Sequence, residues 1–198
     1  MIRVLIGAIA SLLLAIVPWG RSIAASPGEA AVLRASFSQE RVLPGFRRPL
    51  RSEGEVLLVR GEGLRWRTLA PFPSTLVVRD GRMAFRDAEG RTQSVDEGGH
   101  VAGLVQALLD ALLSADRDAL ATRFTVSELP PPRPSAWALG LVPKGAPLDA
   151  IYARIEVVGE AHVERIELHE ANGGRTTIRF HDTRVQATAG EAERRALE

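Results

Sequence analysis

The chain has 198 residues, 25 basic against 24 acidic, 45% of them hydrophobic, and no cysteine. A balance this close to neutral excludes a nucleic-acid binder, which needs a strong positive excess to neutralise phosphates. The missing thiol excludes disulfides, thiolate catalysis, cysteine metal sites and anchoring through an acylated cysteine.

Arg3 supplies a short positive start, and Val4 to Val17 is an apolar run interrupted by Gly7 and Ser11. Pro18, Trp19 and Gly20 break it, and Ser22-Ile23-Ala24-Ala25-Ser26 offers small residues for cleavage. That layout predicts a secretory signal peptide over 1–25, its apolar core too short to span a membrane comfortably. The rest is expected to be one domain over 26–185, long enough for a real core, followed by a polar tail over 186–198.

Gly28 to Ser36 has helical spacing, with Ala30, Leu33 and Arg34 ahead of the strand-like Phe37-Ser38-Gln39-Glu40-Arg41. Short strands then follow at regular intervals over 54–60, 64–69 and 74–79, separated by Gly61-Glu62-Gly63 and by Pro71 and Pro73. Asp80-Gly81 is a two-residue hairpin signal, because positive φ suits glycine and is tolerated by aspartate. Glu89-Gly90 and Gly98-Gly99 close two further segments.

Val101 to Ser114 predicts one long helix. Val101, Leu104, Val105, Leu108, Leu109, Leu112 and Leu113 repeat at i, i+3, i+4, i+7 and onward, leaving a thin polar side of Gln106, Asp110 and Ser114. Strands resume over 122–128, 136–142, 151–158, 162–169 and 175–181, the last two joined by Asn172-Gly173-Gly174. Pro130-Pro131-Pro132-Arg133-Pro134 reads as a stiff extended connector. The Arg- and Glu-rich end from Glu191 reads as frayed chain or a terminal helical turn.

Alternation inside the strands sorts the side chains. Leu64 and Trp66 oppose Arg65 and Arg67; Met83 and Phe85 oppose Arg82 and Arg86; Phe124 and Val126 oppose Arg123 and Thr125. Ile151, Ile155 and Val157 oppose Arg154 and Glu156, and Ile178 and Phe180 oppose Thr177 and Arg179. Period two puts these sets on opposite sides of the pleat, which predicts an α+β protein built on an antiparallel sheet with one oily and one arginine-studded face. With little helix to cover it, that sheet must either fold onto itself or curve round an apolar cavity capped by the helices.

Phe37-Ser38-Gln39, Gly54-Glu55-Val56-Leu57, Arg60 with Leu64-Arg65-Trp66, Pro71, Leu76-Val77-Val78 and Asp80-Gly81 follow in an order and spacing that resembles the outer-membrane lipoprotein carrier family, LolA. Trp137 to Lys144, with its Leu141-Val142-Pro143-Lys144 end, and Ile166 to Phe180 resemble later parts of the same family. Gly61 where the family has proline, and the segment after Arg184, set the chain apart as a divergent branch. The resemblance implies an unclosed half-barrel with helices as a lid over an apolar cavity. It implies a periplasmic monomer that takes acylated lipoproteins, or a related lipid, from an inner-membrane ABC-type donor to an outer-membrane acceptor, with no cofactor or metal. It implies that Arg60 latches the lid, a role suited to five guanidinium donors. Leu64, Trp66, Met83, Phe85, Leu104, Leu108, Leu112, Phe124, Ile155 and Phe180 are the candidates to line the cavity; without the resemblance they read equally well as core. A regulator that senses lipoproteins with the same fold is the alternative.

Enzyme chemistry lacks a foothold in the sequence. His162 and His169 lie seven apart and face opposite sides of a strand, His100 and His181 lack partner motifs, and no G-x-S-x-G is present. Asp116-Arg117-Asp118 reads as a solvated helix end.

Overall fold

The computed structural model describes residues 32–94, 111, 113 and 116–198. Eleven strands form one antiparallel sheet in the order β6-β5-β4-β3-β2-β1-β11-β10-β9-β8-β7. The strands are β1 (Val32–Val42), β2 (Leu50–Val59), β3 (Gly63–Ala70), β4 (Ser74–Arg79), β5 (Arg82–Arg86) and β6 (Thr92–Ser94), then β7 (Phe124–Glu128), β8 (Trp137–Pro143), β9 (Tyr152–Gly159), β10 (Val163–Glu170) and β11 (Arg175–Gln186). Two runs of consecutive hairpins are joined where β1 pairs with β11, and among the described residues β6 and β7 are the edge strands. The sheet is therefore not closed. Among the described residues it is accompanied by the short helices α1 (Arg117–Ala121), α2 (Leu148–Ile151) and α3 (Glu191–Arg195), and by the helical Ala111 and Leu113.

Turn chemistry fixes the hairpins. Asp80 and Gly81 join β4 to β5 with φ of 50° and 70°, the doubly positive geometry expected of Asp-Gly. Gly54 meets a different need. A Cβ there would stand 2.0 Å from the Arg67 carbonyl oxygen and 2.8 Å from the Phe37 ring, so only hydrogen lets β1, β2 and β3 close up at this point.

The N-terminal segment corrects the sequence reading. Residues 32–36 are strand, not helix: β1 pairs along its length with both β2 and β11. The rest of that expected helix, and the signal peptide, lie outside the described residues. Within the predicted 101–114 helix only Ala111 and Leu113 are described; both are helical and buried in the main core. Leu104, Leu108 and Leu112 lie outside the described residues. Ile151 also departs from expectation, since it ends α2 and is 49% exposed instead of joining the oily face.

The main core lies on one face of the sheet and takes Phe37, Val56, Leu58, Leu64 and Val78 from one half and Phe124, Leu141, Ile155, Ile166 and Phe180 from the other. A second, smaller core occupies the opposite face. There Val32, Leu57 and Val59 pack with Leu197, so the C-terminal segment, far from fraying, folds as α3 and covers β1 and β2. Arg34 on β1 donates to Glu193 of α3, and the Gly190 N–H donates to the same carboxylate at 2.9 Å. The Arg34 bond and backbone donors hold the Glu193 carboxyl below the usual carboxylate range against an opposing push from burial.

Candidate functional site

Register assembles the apolar face into rows. Ala35, Val56, Trp66, Leu76 and Phe85 lie directly opposite one another across five strands. The neighbouring row is Leu33, Leu58, Leu64, Val78 and Met83. On the other half, Leu168, Ile155, Leu141 and Val126 form a comparable row. Alternation in the sequence thus becomes an apolar surface, because the strands are antiparallel and hold these residues opposite one another between the irregularities at Arg34/Ser36, Glu53/Gly54, Val163/Arg165 and His169/Glu170.

Burial along these rows is uneven. Leu64, Phe124 and Ile155 are fully enclosed, and Phe180 is nearly so. Trp66, Leu76 and Met83 are only partly buried, and Phe85 is 37% exposed. The candidates from the sequence therefore share one face, but they divide into an enclosed group and a group toward β5 that keeps accessible apolar surface. Trp66 lies between the two. Its ring is 4.3 Å from that of Phe37 and meets Phe180 edge-on at 6.2 Å, which fixes it within the sheet. Phe37, Leu33 and Leu76 belong to the same surface and were not among the candidates. Phe37 and Leu76 had a signal, their places in the family-like Phe-Ser-Gln and Leu-Val-Val stretches, but neither stretch shows the alternation that marked the other candidates.

A polar rim closes one end of this face. Arg41 donates twice to Glu170, at 3.1 and 3.2 Å, and Thr176 donates to the same carboxylate at 3.2 Å. Burial pushes the Glu170 carboxyl up, but the Arg41 bond and charge, with Thr176 and Asn172, outweigh it and leave the group below its ordinary range. Burial, then the Glu170 charge, push the neighbouring Tyr152 phenol up.

The motif ends have local structural jobs. Lys144 closes the Leu-Val-Pro-Lys stretch by donating from Nζ to the Ala121 carbonyl at 2.7 Å, capping α1. Asp116 accepts from the Ala119 N–H at 3.0 Å and starts the same helix. Arg60 stands directly after β2, half-buried, ahead of Gly61 at φ 73°. Among the described residues, pockets of about 440, 830 and 350 Å³ open along the polar face and its rim; Ala35 and Val56 help line the last, while Trp66, Leu76, Met83 and Phe85 line none of these.

The family described as outer membrane lipoprotein carrier protein LolA matches residues 29–192. A curated outer-membrane lipoprotein carrier protein from Dechloromonas aromatica (strain RCB) is 32% identical over 149 residues, 75% of this chain and 68% of that one. Among solved structures, a LolA superfamily protein from Nitrosomonas europaea aligns with a TM-score of 0.45 and 9% identity, covering 81% of this chain and 88% of that one. A chain of the Pseudomonas aeruginosa MucA/MucB complex aligns with a TM-score of 0.45 and 18% identity, covering 84% of this chain and 55% of that one. On the match over residues 29–192 and the identity to a curated carrier, the chain belongs to the outer-membrane lipoprotein carrier family, LolA.

Proposed function

We propose that this protein is a periplasmic carrier that buries the acyl chains of lipoproteins, or of a related lipid, and moves them from an inner-membrane ABC-type donor to an outer-membrane acceptor. The observation that carries this reading is the accessible apolar row of Trp66, Leu76 and Phe85 with Met83 beside it, on the inner side of an unclosed sheet. A family relative named as an outer-membrane lipoprotein carrier supports it. In this reading residues 26–185 are the binding domain freed from a 1–25 leader, and the helix over 101–114 is the lid. Leu104, Leu108 and Leu112 touch cargo, and Arg60 holds the lid closed.

The chemistry is transfer by burial, without bond making. An acyl chain of about fifteen methylenes gains roughly 12 kcal/mol when fully removed from water. A carrier that captured all of it would not let go, so partial coverage on one side of the sheet suits a protein that must both load and release. Leu64, Phe124 and Ile155 form the rigid backing of that surface.

Trp66 reports on the site directly. In a Trp137→Phe variant of the mature chain, Trp66 is the remaining indole, and a saturating brominated acyl chain is expected to quench its emission strongly. No quenching at saturation would defeat the assignment. Purification from the periplasm followed by native mass spectrometry reads the natural occupant: copurified lipid fits a carrier, and a copurified protein fits the regulator instead.

A further inference from the structure

Arginines on the polar face of β3, β4 and β5 are arranged by register. Arg65 lies opposite Val77, which lies opposite Ala84. On one side of this row Arg79 faces Arg82, and on the other Arg67 faces Thr75, which faces Arg86. The end of α3 closes the near side with Arg195, Ala196 and Leu197. The product is a groove of about 830 Å³ with small residues for a floor and six guanidiniums around it. Strand geometry makes that ring about 10 Å across the strands and about 14 Å along them.

Its charge is compensated only in part: Glu55 lies opposite Arg67 and its charge acts on Arg65, and Arg195 lies 3.6 Å from Glu191. Asp80 and Glu198 are the carboxylates in the lining, and Asp80 lies 3.3 Å from Arg79. Arg67, Arg82 and Arg86 make no ion pair among the described residues, and Arg65 turns one N–H to the Ala196 carbonyl at 3.5 Å. Beyond Arg67, at the β3 irregularity where Gly54 pairs with Thr68 and Glu53 with Ala70, Leu69 is 41% exposed, and Phe72, in the loop that follows, is 80% exposed.

We propose that this groove and the adjoining Leu69 and Phe72 are a docking site for an anionic lipid surface, with phosphate headgroups held by the arginines. Guanidinium forks match phosphate oxygens in pairs. Cations beside exposed leucine and phenylalanine make up the composition of an interfacial site, where the rings enter the headgroup layer and the charges stay with the phosphates. A peptide is disfavoured, because β3, β4 and β5 are each paired on both sides and offer no open ladder for a further strand. The groove lies on the face opposite the apolar rows, so its occupancy is independent of whatever those rows hold.

Sedimentation with phosphatidylcholine vesicles, with and without phosphatidylglycerol, tests this on the mature chain. Binding is expected only to the phosphatidylglycerol vesicles, and it should weaken as salt rises. Each arginine near such a surface is worth on the order of fivefold, so Arg67→Gln with Arg82→Gln should bind about 30-fold more weakly. The corresponding double lysine variant should keep most of the affinity, and Phe72→Ser should lose less than the double glutamine variant. Trp66 quenching by a brominated acyl chain should be unchanged in the double glutamine variant, which separates failure here from failure of the carrier reading. Equal binding to both vesicles, or full binding by the double glutamine variant, overturns the proposal. So does binding of inorganic pyrophosphate without binding of either vesicle.

Discussion

On the polar face of β9–β11, arginines sit among carboxylates. Arg154 reaches Glu156 at 2.7 Å, Arg165 reaches Glu167 at 3.0 Å, and Arg175 lies 3.9 Å from Glu167. On the same face of β3–β5, arginines face arginines and small residues, with Glu55 opposite Arg67 and Asp80 beside Arg79 as their carboxylates. Residue type and strand geometry are alike in the two regions; the companions differ. Where Glu alternates with Arg, as in Val-Glu-Arg-Ile-Glu-Leu-His-Glu over 163–170, the face neutralises itself and stabilises the ladder. Where arginines outnumber the carboxylates, with Glu55 alone opposite Leu-Arg-Trp-Arg and none within Arg-Met-Ala-Phe-Arg, positive charge is left on the surface at some cost to stability, which is the pattern of a surface kept for a partner.

The sharpest way to break this comparison is to remove a carboxylate from the paired region. Glu167 is directly opposite Glu156, and that like-charge pairing is offset by Arg154 at Glu156 and by Arg165 and Arg175 at Glu167, with His169 Nε2 3.2 Å from Glu167. The Glu167 side chain is only 15% exposed, so losing it strips charge-assisted contacts that water replaces poorly. Glu167→Ala should cost about 1.5 kcal/mol, read as a lower urea midpoint at unchanged slope. A cost near zero would show that the paired arginines are as inert to stability as solvated ones.

Acid tests the same region more gently. Glu170, tied to Arg41 and Thr176, has a carboxyl held below its ordinary range. A carboxyl whose folded pKa is depressed gives stability that is complete above the unfolded value, about 4.3, and is lost as pH falls through the folded value. Glu170→Gln should therefore narrow the gap between urea midpoints measured at neutral pH and at about pH 3. An identical gap in the variant would place the acid sensitivity elsewhere.

Legibility in the sequence follows the same division of the molecule. The strands with one wet face were plain: arginine alternates with Leu64 and Trp66, and with Met83 and Phe85, and Asp80-Gly81 marks the turn between β4 and β5. Where both faces are buried the alternation disappears. Val32 is covered by Leu197 on one side of β1 while Ala35 and Phe37 enter the main core on the other, and this two-sided burial is why 32–36 lacks the alternation of a strand with one wet face. Val56 to Val59 is a solid buried run for the same reason. The covering residue, Leu197, stands in a charged tail with no period to betray it. Strand alternation marked the apolar face, but not the groove behind it. A ring of arginines around Thr75, Val77 and Ala84 requires the register of three strands at once, and the sequence supplies only the Arg79–Arg82 pairing through its two-residue turn.

The smallest effect should come from the arginines themselves. Arg79 and Arg82 lie directly opposite each other, and like charges so placed repel. Arg82 is exposed, so Arg82→Gln should leave stability within about 0.5 kcal/mol, with the change toward greater stability at low salt, where repulsion is least screened. Salt then separates the two regions by sign. Raising ionic strength should help the wild-type β3–β5 face and weaken the β9–β11 pairs, so Arg82→Gln should lose part of the first response while Glu167→Ala loses part of the second. Thermal unfolding of both variants across a salt series reads this directly. A variant pair with the same salt response as the parent would mean that neither set of arginines feels its neighbours, and the contrast between the two faces would then carry no energy.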